Sequence, residues 1–315
     1  MDVSAALRVM GEVNRVVIGK KECIVKAMTA ILAGGHILIE DIPGVGKTTM
    51  AMAFSRAMEL TCRRVQFTPD VLPADLTGFS MYQKDTGAFV YQNGAVMCNL
   101  FLADEINRTS PKTQSALLEV MEEGRVTVDG VTRELPKPFI VMATQNPLGS
   151  AGTQPLPDSQ LDRFMVRIRM GYPTPQDEME ILRRQSKGIT LDQVAAVTSA
   201  EGLLRMRGEA EEVHVQDSIY DYIVRLVQET RRHPDVRQGV SPRGAIALMR
   251  MAKALAYLQQ REYVLPEDIG DIAVDVLAHR IVLSPRARAG RVEAEQVIEQ
   301  LLQSVEPPDL RRKAK

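Results

Sequence analysis

The stretch HILIEDIPGVGKTTM, residues 36–50, constrains the fold of this chain most strongly. An apolar run, His36–Glu40, leads through a loop with two glycines into a helical pattern. A strand, a glycine loop and a helix in this order bring loop amides and the helix N-terminus around an anion. The phosphate-binding pattern G-x-x-x-x-G-K-[ST] is matched at Gly46–Thr48, but Asp41 stands where the first glycine is usual. Because its charge would repel phosphate, we expect the Asp41 side chain to bond to nearby turn amides.

The loop and the start of the helix form the candidate nucleotide site. We expect Lys47 to reach the β- and γ-phosphates and the Thr48 hydroxyl to ligate Mg²⁺. The residues expected to contact the nucleotide here are Pro43, Gly44, Val45, Gly46, Lys47, Thr48 and Thr49. An ordinary strand–turn–helix with a surface lysine is the alternative at this stage.

A second buried strand supports the first interpretation. The run Asn99–Asp104 is followed by Glu105, so two carboxylates lie at the C-terminal end of an apolar strand, where ligands of open α/β sheets bind. Two unpaired carboxylates at short range would raise the pKa of one of them, and a divalent cation removes that cost. We expect Asp104 in the Mg²⁺ shell and Glu105 to polarise an attacking water.

Three further polar residues are ambiguous from the sequence alone. Asn146 ends the apolar run Phe139–Thr144 and is either a strand-terminating cap or a group that orients water or contacts the γ-phosphate. Arg163, in LDRF, and Arg243, in VSPRG, each fit a surface ion pair as well as a phosphate contact.

Apolar runs alternating with helical patterns define the fold class. The expected strands are 36–40, 64–68, 99–104, 139–144 and 164–170, and the expected helices between them include 48–60 and 112–122. This order predicts an α/β domain with a mostly parallel sheet. Two insertions, 80–91 and 125–135, read as hairpins, the second around Asp129-Gly130.

The segment after GYPTP, residues 171–175, reads as helix throughout, with apolar faces over 245–258 and 294–305. We therefore expect an αβα nucleotide-binding domain over 1–172, a helical lid over 173–308 and a disordered basic tail over 309–315.

Composition limits the functional classes. The chain has 315 residues, a net charge of −1 and 4% aromatic residues, which disfavours a nucleic-acid binder that relies on charge and base stacking. No apolar run is long enough to span a membrane, and no export signal is visible. Cys23, Cys62 and Cys98 are scattered without metal-like spacing, so we expect a cytoplasmic protein.

Several longer segments resemble the MoxR family of AAA+ ATPases, a branch related to magnesium chelatase. They are VVIGK, AGGHILIEDIPGVGKT, VQFTPDVLPADLTG, FLADEINRTSPKTQSALLEVMEEG, FIVMATQNP and PLPDSQLDRF, and together they cover roughly residues 4–170. The resemblance implies a five-stranded parallel αβα core with hairpin inserts and an all-α lid. It also implies that Asp41 is tolerated in this loop.

The resemblance further implies the roles of individual residues. Gly44, Gly46, Lys47 and Thr48 match Walker A, Asp104 and Glu105 match Walker B, Asn146 matches sensor 1, and Val17, Ile18 and Gly19 match the adenine-pocket segment. Arg163 matches the arginine finger that enters a neighbouring subunit's site. Arg243 matches sensor 2, which in this branch acts either on its own nucleotide or on the neighbour's.

An ATP- and Mg²⁺-dependent ATPase is therefore expected, working as a homo-oligomer, usually a hexameric ring. By the same resemblance its partner would carry a von Willebrand factor A domain, and its client would be a protein complex that is remodelled or receives a metal cofactor. A nucleic-acid motor of the MCM type shares the hairpins and is the main alternative. A sigma-factor activator lacks its GAFTGA-like loop here, and the intact Lys47, Asp104, Glu105 and Arg163 disfavour a non-hydrolysing switch.

Overall fold

A central five-stranded parallel sheet organises the computed structural model, which describes residues 3–42, 44–146, 154, 156–188 and 190–309. The sheet has the strand order β2-β5-β8-β1-β9, with all neighbours parallel. Its strands are β1 (Ile37–Glu40), β2 (Cys62–Gln66), β5 (Leu100–Asp104), β8 (Ile140–Gln145) and β9 (Val166–Ile168). Two hairpins, β3 (Gly78–Gln83) with β4 (Ala88–Asn93) and β6 (Arg125–Val128) with β7 (Val131–Glu134), stand outside it.

Helices cover the sheet and form the C-terminal part of the chain. The first half contains α1 (Ser4–Val16), α2 (Lys21–Leu32), α3 (Lys47–Ala57), α4 (Pro73–Thr77), α5 (Pro111–Glu123) and α6 (Asp158–Leu161). The second half contains α7 (Pro175–Ser186), α8 (Ala200–Glu211), α9 (Asp217–Arg232), α10 (Pro242–Leu258), α11 (Pro266–Leu277), α12 (Pro285–Ala289) and α13 (Ala294–Ser304). Proline at the first position and a serine or threonine cap start several of them, because proline needs no amide partner there.

The strands bury both faces, as their continuous apolar runs predict. Alternate residues of β1 and β5 point to opposite sides. Ile37, Ile39 and Leu100 join a cluster with α1–α3 and the C-terminal helices, whereas Leu38 and Phe101 join a second cluster with α5. The C-terminal helices thus share one hydrophobic cluster with the helices beside the sheet.

The structure confirms the five strands, the parallel sheet and the hairpins, with shifts of one or two residues at most strand ends. The expectation that the chain is entirely helical after residue 171 is wrong in detail, because β10 (Val236–Gln238) pairs with β11 (Val282–Leu283). These strands are too short to show a periodic pattern. The boundary near residue 172 falls in the coil between β9 and α7 and stays a prediction, and the tail 310–315 lies outside the described residues.

The C-terminal helices pack beside α2 and β9. Helix α10 packs on α2, and α11 packs on β9. Lys26 of α2 forms an ion pair with Asp275 of α11 at 2.6 Å, and Arg167 of β9 bonds to Glu295 of α13 at 2.6 Å. Within the described residues, no helix is long and apolar enough to cross a membrane.

Replacing Phe101 by Ala should destabilise the sheet. Phe101 is fully buried and packs edge-on against Phe67, so its removal leaves a cavity and should cost about 3–5 kcal/mol of the free energy of unfolding. The matched change Phe89→Ala, at a hairpin residue that is 75% exposed, should cost less than about 0.5 kcal/mol. Urea denaturation followed by circular dichroism measures both, and equal midpoints would contradict the assignment of the core.

Candidate active site

The loop after β1 turns sharply into α3 at the carboxyl edge of the sheet. Gly44 and Gly46 have φ of 85° and 95°, a left-handed conformation that favours glycine. The Lys47 ammonium is buried and donates to the backbone carbonyl of Asp41 at 2.7 Å. Burial lowers the pKa of Lys47, while Asp104, Asp41 and Glu105 oppose that shift. A bound phosphate would take Lys47 from this carbonyl.

Asp41 faces away from the phosphate position. Its carboxylate accepts hydrogen bonds from the amide of Ile42, at 2.8 Å, and from the amide of Gly171 beyond β9. This confirms the expectation of local bonds to turn amides, and it adds a long-range bond to Gly171. At this position an aspartate therefore ties the loop to the segment that leaves the sheet.

Asp104, at the end of β5, is buried and satisfied by two neighbours. The Thr144 hydroxyl of β8 donates to Oδ1 at 2.6 Å. The Arg64 guanidinium of β2 donates to Oδ2 from Nη2 at 2.7 Å and from Nε at 3.2 Å. Hydrogen bonds from both adjacent strands thus fix the carboxylate at the strand end.

Glu105 has an unusual backbone conformation, with φ 57° and ψ 49°. Its amide donates to the Thr144 hydroxyl at 2.9 Å, and its carboxylate accepts from Gln66 at 2.8 Å and from Arg108 at 2.7 Å. The Thr144 hydroxyl therefore accepts from one acidic residue and donates to the other. It sets the relative placement of the two carboxylates.

These groups line one cavity of about 360 Å³, together with the loop. Its lining residues are Gly44, Gly46, Lys47, Thr48, Thr49, Arg64, Gln66, Asp104 and Glu105. Within the described part of the chain, no cluster of three acidic, histidine or cysteine side chains could hold a metal by itself. The Asp104 carboxylate and the Thr48 hydroxyl are hard oxygen donors, and they suit Mg²⁺, which takes one or two protein oxygens and completes its shell with phosphates and water.

A neighbouring cavity of about 210 Å³, with Lys20 and Thr49 as its polar side chains, is the candidate position of a nucleotide base. It is lined by Val17, Ile18 and Val45 and by Pro173 and Ile181 from the start of the C-terminal part. Gly19 lies just outside it with φ 69°, where a β-carbon would come within 2.3 Å of the Asp177 carboxylate. Gly19 thus lets α7 approach this cavity closely.

Lys20 fixes residues 170–172, which connect β9 to α7. Its buried ammonium donates to three successive backbone carbonyls, those of Met170, Gly171 and Tyr172, at 2.7, 2.9 and 3.0 Å. All three ammonium donors are therefore used inside the protein.

Asn146 follows β8 at the carboxyl edge, next to the ends of β1 and β5. Its backbone carbonyl accepts from the Asn107 side chain at 3.2 Å. Pro43, the remaining expected contact, lies outside the described residues.

Arg163 and Arg243 lie near the amino ends of the strands, whereas the phosphate loop lies at their carboxyl ends. They line a cavity with Gly34, Gly35 and His36, which precede β1, whereas the phosphate loop follows β1. Four residues of strand separate these edges by roughly 10 Å. Both arginines form ion pairs with Glu122 of α5. The structure therefore brings them to each other and not to the loop of the same chain.

Four polar residues near the nucleotide cavities were not anticipated from the sequence: Lys20, Arg64, Gln66 and Thr144. Thr144 ends an otherwise apolar stretch. Because a buried hydroxyl needs a hydrogen-bond partner, its position in the sequence could have identified it as a candidate site residue. Arg64 and Gln66 alternate along an edge strand and resemble ordinary solvent-facing residues. Lys20 gives no local signal.

Comparisons with known proteins agree with this geometry. Residues 36–166 match the model of the ATPase family associated with various cellular activities (AAA), and residues 228–301 match the AAA lid domain. The protein is an AAA+ ATPase that binds nucleotide and hydrolyses ATP.

Its relatives define the family more closely. Chaperone MoxR1 of Mycobacterium tuberculosis is 40% identical over 98% of this chain and 84% of its own length. YeaC of Bacillus subtilis is 49% identical over 94% of this chain and 92% of its own length. A crystal structure of a protein from Cytophaga hutchinsonii has a TM-score of 0.91 and 41% identity, over 98% of this chain and 96% of that one. The chain belongs to the MoxR family.

Replacing Thr144 by Val should lower turnover. The change keeps the shape but removes the hydroxyl that joins Asp104 to the Glu105 amide. Hydrogen bonds to charged groups contribute about 1.5–3 kcal/mol, so kcat should fall roughly 10- to 100-fold if that energy is used in the transition state. Steady-state phosphate release measures it.

Thr29→Val is the matched control, because the Thr29 hydroxyl is also buried but donates only to Val25 within α2, at 2.8 Å. Equal turnover of the two variants would contradict a role for Thr144 in the site.

Proposed function

We propose that this protein hydrolyses ATP with Mg²⁺ at the interfaces of a ring of identical subunits and uses the cycle to remodel a partner protein complex. The observation that carries the proposal is that the phosphate loop and the two arginines, Arg163 and Arg243, lie at opposite ends of the strands. Arg64 of the same chain lines the phosphate cavity but is paired with Asp104, so we assign the arginine at the γ-phosphate to a second copy of the chain.

Within one chain we assign the following roles. Lys47 binds the β- and γ-phosphates, Thr48 and Asp104 would hold Mg²⁺, and Glu105 accepts a proton from the attacking water. Asn146 orients that water or contacts the γ-phosphate. Mg²⁺, when bound, neutralises charge on the phosphates; the protein's own contribution is to position the water and phosphates and to stabilise charge.

The cavity that contains Arg163 and Arg243 is suited to another subunit's phosphates. It also contains Arg250 and Arg280, whereas its acidic residues are Glu122 and Asp162. Burial lowers the pKa of His36 to about 4, so its imidazole stays neutral. The excess of guanidinium groups favours a polyanion such as a triphosphate.

In this proposal Arg243 acts on the same neighbouring nucleotide as Arg163, the arginine finger. The Ser241 hydroxyl, at the start of α10, donates to Asp162 at 3.0 Å, and the buried Arg280 donates to the same carboxylate at 3.0 Å. These bonds join the start of the lid helix to the residue before Arg163. These bonds support assigning both arginines to the neighbour's nucleotide.

The first hairpin is the proposed contact with a protein client. It exposes Phe79, Met81, Tyr82 and Phe89, with Tyr82 and Phe89 packed edge to face. Phe79 and Met81 lie on one face of the hairpin, and Tyr82 and Phe89 lie on the other. Exposed apolar surface of this kind commonly binds protein. A partner with a von Willebrand factor A domain, a hexameric ring, a cytoplasmic location and metal insertion into the client remain proposals that rest on membership of the family.

A nucleic-acid motor is the second candidate, and the hairpins disfavour it. Arg133 of the second hairpin lies 3.8 Å above the Tyr91 ring and donates to the Val131 carbonyl, so it is held within the protein. ATP turnover strongly stimulated by DNA and steeply dependent on salt would favour that motor instead.

Glu105→Gln should bind ATP and fail to hydrolyse it, because an amide cannot accept the proton of the attacking water. Turnover should fall by about 10² or more, while the affinity for a fluorescent ATP analogue is kept. In a pull-down from the native source with ATP, this variant should retain the client complex. Turnover equal to that of the wild type would refute the role of Glu105.

Arg163→Ala should lower turnover by about 10³ or more with ATP binding intact, since the arginine contributes in the transition state. Mixing it with Lys47→Ala should restore part of the activity, because mixed rings rebuild complete sites from an intact loop and an intact arginine. Subunit exchange is checked by fluorescence energy transfer. No recovery despite exchange would contradict sharing of the site between chains.

Arg243→Ala should give the same pattern, with turnover restored by Lys47→Ala. If Lys47→Ala restores the activity of Arg163→Ala but not that of Arg243→Ala, Arg243 acts on its own chain's nucleotide.

A further inference from the structure

Glu122 lies between Arg163 and Arg243, two of the four arginines that line the cavity at the amino ends of the strands. Its Oε2 accepts from Arg163 Nε at 3.0 Å, and its Oε1 accepts from Arg243 Nη2. One carboxylate thus holds one guanidinium on each oxygen, one from the segment before β9 and one from the first turn of α10. Without it, two like charges would share a small space with no acid between them.

The other acid of this cavity is already used. Asp162 accepts from Arg280 and from Ser241, and Arg280 also donates to the backbone carbonyls of Phe164 and Met165. Asp162 therefore fixes the backbone around Arg163, whereas Glu122 fixes the two guanidinium groups.

The contacts with Glu122 leave other donors of both arginines available. Arg163 uses Nε for Glu122 and Nη1 for the Ser159 carbonyl at 3.1 Å, and among the described residues its Nη2 group has no acceptor. Arg243 gives Nη2 to Glu122, and in the described part of the chain no further acceptor binds it. The carboxylate can therefore orient both guanidinium groups while each still has N–H groups for a phosphate oxygen.

Glu122 is charged at neutral pH. The hydrogen bond from Arg243, and then that from Arg163, hold its pKa below the ordinary value. About a third of its side chain is exposed, so an incoming subunit can reach the group.

We propose that Glu122 is a positioning residue that holds Arg163 and Arg243 together in the geometry in which they meet a neighbouring subunit's triphosphate. The proposal rests on the shared site proposed above. Glu122 itself does not touch the nucleotide: it limits the rotamers of two flexible side chains before the subunits meet, so that the interface forms with its cations already aligned. Glu122 lies within the segment FLADEINRTSPKTQSALLEVMEEG, but the sequence alone assigned it no role.

Glu122→Ala should lower kcat roughly 10- to 100-fold, as small misplacement of catalytic groups does, and leave the affinity for ATP unchanged. Glu122→Gln should fall between the wild type and Glu122→Ala, because its amide oxygen accepts from one guanidinium and its NH₂ group repels the other. Turnover and the affinity for a fluorescent ATP analogue are measured on the assembled protein.

Mixing with Lys47→Ala separates positioning from a structural role. The Glu122→Ala subunit has an intact phosphate loop, and a Lys47→Ala neighbour has intact, aligned arginines, so mixed rings should recover activity. A defect in the variant's own fold or own site would not recover. Glu123→Ala is the matched control: Glu123 follows Glu122 on α5, is similarly exposed and pairs with Arg125 at 2.8 Å, and its loss should leave turnover unchanged.

Two results would overturn the proposal: wild-type turnover of Glu122→Ala while Arg163→Ala is impaired, or impaired Glu122→Ala that Lys47→Ala does not rescue under conditions that rescue Arg163→Ala. Loss of activity in Glu123→Ala equal to that of Glu122→Ala would also overturn it. An unimpaired Arg163→Ala would instead refute the shared site itself, so the two failures are distinct.

Discussion

The parallel pairing of the five strands is the constraint on which the rest of the structure depends. Because all strands run the same way, residues that follow a strand gather at one edge and residues that precede a strand gather at the other. The phosphate loop, Asp104, Glu105 and Asn146 follow strands, whereas Arg163 precedes β9. The strands therefore hold the two groups apart within one chain.

Electrostatics at the carboxyl edge follows from the same arrangement. Two carboxylates and an ammonium lie where the strands end, and each has a partner: Arg64 for Asp104, Gln66 and Arg108 for Glu105, and a backbone carbonyl for Lys47. Binding of nucleotide then exchanges existing partners for phosphate oxygens instead of filling an unpaired site, which keeps the cost of burying these charges low in both states.

Much of the fold could be read from the sequence because its strands are continuous apolar runs and its turns carry glycine and proline. Leu100–Asp104 and Ile140–Gln145 were recognisable for that reason. The short strands Val236–Gln238 and Val282–Leu283 were not, since pairing between segments far apart in the chain decides them.

The same distinction applies to the site. Gly46, Lys47, Asp104 and Glu105 lie in local patterns with a chemical meaning. Thr144, Gln66 and Glu122 acquire theirs only from neighbours on other strands and helices, and the location of Arg243 depends on how the C-terminal helices pack on α2 and β9.

The segment Met170–Tyr172 connects the two cavities of the candidate nucleotide site to the C-terminal helices. Lys20, beside the base cavity, holds its three carbonyls, and Asp41, in the phosphate loop, holds the amide of its middle residue. Both walls of the nucleotide site are thus fastened to the same three residues, which continue directly into the C-terminal helices. Because this segment is bonded to residues beside both cavities and leads into α7, a shift of α7 relative to the sheet would change both cavities at once.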